Sequence, residues 1–149
     1  MKIVGKILAT FFGAGFFPLA PGTLTSLIVV ALYRLYLHNL SWPVYLLIFL
    51  FFFFAGVFVS NKYSSELGEK DPRKIVIDEA CGQFLVLYRV PDSLFPLFLG
   101  FILFRLFDII KPYPIKKTEN FSKGWGIMVD DIVAGIYALL ILRIYLFLK

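Results

Sequence analysis

Five apolar stretches, residues 23–37, 42–59, 75–90, 94–110 and 127–148, take up most of this 149-residue chain, and only short polar or Gly/Pro-bearing segments divide them. Such a chain has too little polar sequence to cover a water-soluble core. Its hydrophobic content of 60% lies well above the roughly 45–50% of an ordinary soluble domain. A membrane span consumes about 20 residues, so four or five of them would nearly exhaust the sequence. The expected fold class is therefore all-α, a polytopic membrane helical bundle of four to five transmembrane or half-membrane helices. It forms a single integral-membrane domain over residues 1–149. The third stretch is the hardest to place. Its 16 residues would reach about 24 Å against a hydrocarbon core of about 30 Å, which leaves a short span, a re-entrant helix or an interfacial helix open.

The first 22 residues fit neither a span nor a solvated tail, because Phe11, Phe12, Phe16 and Phe17 alternate with Gly13, Gly15, Pro18, Pro21 and Gly22. A membrane-associated loop packed against the helices is expected, since irregular backbone survives at membrane depth only where protein or a wet cavity satisfies it. Lys2 and Lys6 ahead of apolar residues resemble a signal peptide, yet no small-x-small cleavage pattern follows, and the segment is read as retained. The Phe51–Phe54 run reads as lipid-facing. Cys81, the single cysteine, excludes an internal disulfide and reads as a small apolar helix residue.

The net charge of +5 suits anionic lipid headgroups, and no basic stripe with stacking aromatics points to nucleic acid. Counted over short loops, Lys and Arg are one-sided. Lys2 and Lys6, then Lys62, Lys70, Arg73 and Lys74, then Lys111, Lys116, Lys117 and Lys123 would share the cytoplasmic side. The intervening turns at 38–41 and 91–93 hold neither Lys nor Arg. Arg34 and Arg89 lie near the far ends of their helices, where their stems can snorkel outward.

On this threading the acidic residues gather at one end. Asp78 and Glu79 open the third stretch, Asp108 closes the fourth, and Asp130 and Asp131 lie in the first turns of the fifth, with the Pro21-Gly22-Thr23 turn at the same depth. An intramembrane carboxylate costs about 2.5–3.5 kcal/mol at a helix centre. Arg105, three residues before Asp108, can neutralise that one locally. Helix N-termini favour acidic residues, which accounts for one carboxylate per helix but not for two adjacent doublets. A hard divalent cation of the Mg²⁺ type satisfies them together and keeps positions for water or phosphate. Lys111, beside Pro112-Tyr113-Pro114, stands ready for an anion or serves topology alone. Gly82, Gly124, Gly126 and Gly135 offer close helix packing or room for a headgroup.

A metal, a cationic rim and a headgroup-level site point to phosphoryl chemistry on a lipid. The only histidine, His38, falls at the opposite face, and no Gly-rich Lys-Ser/Thr loop is present. Two other classes compete. One is an ion-coupled transporter or channel-like subunit, which predicts acidic residues at several depths; the other is a small-residue scaffold, which needs no doublets.

Four blocks in order carry a resemblance: Gly15 to Thr23 (GFFPLAPGT), Ile77 to Gly82 (IDEACG), Phe104 to Ile115 (FRLFDIIKPYPI) and Gly124 to Gly135 (GWGIMVDDIVAG). Together they resemble the phosphatidylglycerophosphatase A family. The resemblance implies a Mg²⁺-dependent phosphatase of the bacterial inner membrane, with its active site facing the cytoplasm and phosphatidylglycerophosphate as substrate. For the mechanism, the gathered carboxylates make Asp78, Glu79, Asp130 and Asp131 the expected metal shell. Asp108 would be a further ligand or the base that orients water, Arg105 and Lys111 would hold the phosphate, and Thr23 would donate a hydroxyl. Either water or a carboxylate can be the nucleophile on this reading. Glu119 departs from the family pattern, where an Asp is expected.

Overall fold

The structure, a computed structural model, describes residues 2–118 and 121–149; Glu119 lies outside the described residues. Among these it is all-helical, with α1 at Ile3–Ala9, α2 at Pro21–Leu35, α3 at Trp42–Leu67, α4 at Ile77–Leu87, α5 at Leu94–Ile110, α6 at Ile115–Thr118 and α7 at Lys123–Leu148. Two of them, α3 and α7, are long and apolar enough to cross a bilayer. At about 1.5 Å per residue each is about 39 Å long.

Helix α7 is the shared wall of the bundle. Ala134, Ala138 and Leu142, spaced four apart on one face, are fully buried. They meet Val29 and Tyr33 of α2, Val86 and Leu87 of α4, and Leu97 and Phe104 of α5 in one core. A second core joins Ala9, Val59, Tyr63, Ile77, Cys81 and Met128, from α1, α3, α4 and α7. Burying a Leu or Phe side chain contributes about 1.5–3 kcal/mol.

The outer surface is also apolar. Leu47, Phe51, Phe54 and Phe58 form one exposed stripe on α3, and Phe95, Phe98, Ile102 and Ile109 another on α5. Contiguous exposure on this scale is the signature of a surface that meets apolar surroundings. The phenylalanine run itself divides. Phe51 and Phe54 face out, but Phe52 packs against both cores and Phe53 lies 5.3–6.2 Å, centroid to centroid, from Phe54, Phe49 and Trp125. At 100° per residue, four consecutive helix positions cannot all face lipid.

Several boundaries differ from the sequence reading for identifiable reasons. Helix α3 continues eight residues past 59 because Ser60, Tyr63 and Ser64 are buried, and it stops at Gly68, whose φ of 70° caps it. Helix α7 starts at Lys123 rather than near 127. Its Gly124 is pressed so close to the Val57 carbonyl of α3 that a Cβ would collide with it. The third apolar stretch becomes an 11-residue helix, about 16 Å long, enclosed by the bundle. In the N-terminal segment, residues 3–9 are helical before the chain turns through positive φ at Phe11, Phe12 and Gly13. This segment packs on the bundle: Val76 N–H donates to Ala9 O at 3.0 Å, and Phe11 is buried against Phe52.

Candidate active site

Four helices meet at one end of the bundle. The first turns of α2 and α4, the third turn of α7 and the last turn of α5 surround a cleft of about 340 Å³. Thr23, Asp78, Glu79, Arg105, Asp108, Lys111, Asp130 and Asp131 all line it. Every candidate residue from the sequence therefore reaches the same space.

Glycines set the spacing. A Cβ on Gly135 of α7 would lie 2.8 Å from the Gly82 carbonyl oxygen of α4, and one on Gly82 would lie 2.8 Å from Asp131 O. Only bare backbone lets α4 and α7 approach so closely one turn from the carboxylates. At the start of α2, a Cβ on Gly22 would collide with the Glu79 carboxylate and stand 3.1 Å from Arg105 Nη1. That position must stay empty for both side chains to enter.

The carboxylates then fall into three sets. Asp78, Glu79 and Asp131 each present an oxygen within 4.8 Å of the other two. Asp78 Oδ1, Glu79 Oε2 and Asp131 Oδ2 are buried and have no hydrogen-bond partner among the described residues. Orphaned buried acceptors of this kind call for a cation or protons. Three converging hard oxygens are the donor type that an oxygen-binding divalent cation takes. The group could hold a metal ion.

Asp130, expected in the metal shell, stands outside the trio. Helix neighbours diverge by about 100°, and Asp130 turns away from the trio, accepting from Lys111 Nζ at 2.6 Å and from the Asp131 N–H at 3.0 Å. Lys111 can reach it because it caps α5 in the left-handed region, at φ 46°. Asp108 forms the third set, a 2.7 Å ion pair with Arg105 Nη1, both side chains about seven-eighths buried. The local pairing expected at i, i+3 is thus present. Arg105 Nε remains buried without a partner.

Two further residues line the cleft, Asp71 and Arg73, from the loop between α3 and α4. Sequence reasoning counted Arg73 among the topogenic charges and passed over Asp71. The available signal was position, seven and five residues ahead of Asp78. Apolar Leu19 and Ile109, both exposed, also line the cleft.

Comparison with known proteins matches this arrangement to a family. The family model described as Phosphatidylglycerophosphatase A matches residues 7–146. A Bacteroides thetaiotaomicron protein, named provisionally a phosphatidylinositol-3-phosphatase, is 42% identical over 146 residues, covering 93% of this chain and 91% of its own length. Phosphatidylglycerophosphatase A of Haemophilus influenzae is 38% identical, covering 91% of this chain and 84% of that protein; that of Escherichia coli K12 is 36% identical, covering 87% and 76%. No solved structure matches the chain. The matched region contains both ends of the cleft and all of its carboxylates, and the chain belongs to the phosphatidylglycerophosphatase A family.

Proposed function

We propose that the chain is a Mg²⁺-dependent lipid phosphatase that hydrolyses phosphatidylglycerophosphate to phosphatidylglycerol at the cytoplasmic face of a bacterial inner membrane. The observation that carries this reading is the convergence of three unpartnered carboxylate oxygens beside a buried arginine in one cleft. Family membership supplies the substrate. Mg²⁺ held by Asp78, Glu79 and Asp131 would polarise the phosphate and lower the pKa of a bound water. Arg105 would donate its free Nε–H to a phosphate oxygen while Asp108 fixes its guanidinium. Lys111, fixed by Asp130, adds a positive charge to the rim, and the Thr23 hydroxyl faces the same space. Charge separation by the protein lets a dianionic phosphate approach acidic ligands that would otherwise repel it.

Topology supports the cytoplasmic assignment through the positive-inside bias, since Lys62 near the end of α3, Arg73 and Lys74 of the loop that follows it, and Lys116 and Lys117 of α6 belong to the segments at the cleft's end of the bundle. A channel-like relay is disfavoured because Asp92 is the one acidic residue at the far end among the described residues, where it pairs with Arg34 at 3.7 Å. The Bacteroides relative's name makes an inositol headgroup the second substrate to test.

The test is purified protein in detergent with phosphatidylglycerophosphate or phosphatidylinositol 3-phosphate, with and without Mg²⁺, reading free phosphate. Metal-dependent release from the first is expected. Absence of release from any lipid phosphate rejects the enzyme reading. Cysteines introduced at residues 40 and 118 should label from opposite sides, 118 from the cytoplasm.

A further inference from the structure

Of the three cations on the cleft, two are already neutralised by carboxylates: Arg105 by Asp108 at 2.7 Å and Lys111 by Asp130 at 2.6 Å. Arg73 differs. It is exposed, lines the cleft, and has no ion pair among the described residues. Its neighbours Lys70 and Lys74 do not line the cleft, so Arg73 is the basic residue that this loop contributes to the site.

Exposed apolar side chains share the mouth with this cation: Leu19 and Ile109, 82% and 71% exposed, line the same cleft as Arg73. A lipid whose terminal phosphate enters the carboxylate trio leaves its acyl chains outside the cleft. Its middle, between headgroup and diacylglycerol, must then pass the exposed lining, to which Arg73 belongs. In phosphatidylglycerophosphate that middle is a phosphodiester, which carries a second negative charge.

We propose that Arg73 is a specificity-determining residue whose guanidinium holds this phosphodiester, so that the site prefers lipids with a monoester beyond a diester over lipids with the monoester alone. This rests on the phosphatase reading above. Arg can engage two phosphate oxygens at once, and an exposed contact of this type is worth about tenfold in affinity.

The experiment compares wild type, Arg73→Ala, Arg73→Lys and the control Lys74→Ala on phosphatidylglycerophosphate and on phosphatidic acid, whose monoester sits directly on diacylglycerol. For Arg73→Ala, KM for phosphatidylglycerophosphate should rise about tenfold with kcat nearly unchanged, while KM for phosphatidic acid stays put. Arg73→Lys should recover part of the loss, and Lys74→Ala should match wild type. Equal KM changes on both lipids, the same change in Lys74→Ala, or no change at all overturns the proposal. A binding arm separates it from the hydrolysis reading: in EDTA, the soluble headgroup glycerophosphoglycerol phosphate should bind wild type more tightly than Arg73→Ala, and glycerol 3-phosphate should bind both alike. If wild type releases no phosphate but this binding difference persists, the enzyme reading fails and the Arg73 assignment stands; equal binding of the diester ligand to both proteins rejects Arg73.

Discussion

Replacing Gly135 by alanine tests whether the α4–α7 contact sets the geometry of the carboxylate trio. Helix propensity alone favours the substitution, since alanine in a helix interior is about 1 kcal/mol better than glycine. The contact predicts the opposite sign. The new Cβ would stand 2.8 Å from Gly82 O and 3.3 Å from Gly82 Cα. Both are backbone atoms, which no rotamer change can move. Restoring 3.4 Å, the lower edge of ordinary contact, separates the helices by about 0.6 Å. Overpacking of this kind costs about 1–3 kcal/mol, so net destabilisation of about 0–2 kcal/mol is expected after the propensity gain. The larger effect falls on the site. Asp131 lies one turn before Gly135 and Asp78 one turn before Gly82, so the two halves of the carboxylate trio move apart with the helices. Misplacement by about 1 Å costs about a hundredfold in rate; a shift of 0.6 Å should cost about tenfold and raise the Mg²⁺ concentration needed for half activity. The assay is phosphate release in detergent across a Mg²⁺ titration, with thermal unfolding on the same samples. Ile136→Ala, on the exposed face, serves as the control. A Gly135→Ala protein with wild-type Mg²⁺ dependence and equal or higher Tm refutes the reasoning.

Other outcomes follow from the same geometry. Asp131→Asn should abolish turnover while the protein remains folded by circular dichroism, because it removes one of three converging oxygens. Lys111→Met should destabilise by about 3–5 kcal/mol, since it leaves Asp130 buried without its ammonium partner; adding Asp130→Asn should restore much of the melting temperature. EDTA should stop phosphate release, and Mg²⁺ at a hundred times its Kd should restore both release and about 2.7 kcal/mol of stability. Tyr33→Phe breaks a 2.6 Å hydrogen bond to Val90 O at the far end of the bundle. It should lower stability by about 1 kcal/mol and leave kcat unchanged.

Much of the site was legible because carboxylates are conspicuous in apolar sequence, and the helix ends that carry them fall at one depth once the chain is threaded. The pairing among them was not legible. Adjacent residues in a helix face different directions, so the doublet Asp130-Asp131 splits between a lysine and the trio, while Asp78-Glu79, at a helix start against Gly22, does not. Hydropathy placed α5 to the residue, because Ser93 and Lys111 bound it sharply. It misplaced the end of α3, where buried Ser60 and Ser64 look like a loop by composition and continue as helix by packing. Asp71 and Arg73 went unassigned because a charged loop residue carries no mark of the cavity it faces.

The short helices around the cleft bear on the membrane itself. In the arrangement proposed above, α2 and α5 offer about 22 and 26 Å of helix beside a hydrocarbon layer of about 30 Å. Lipid next to them must thin to match. Thinning draws headgroups inward, toward carboxylates that lie below the usual headgroup plane, and shortens the climb a phosphate makes to reach them. Turnover should then fall as the acyl chains of the host bilayer are lengthened, with bilayer thickness acting as a rate-setting variable that no residue in the cleft controls.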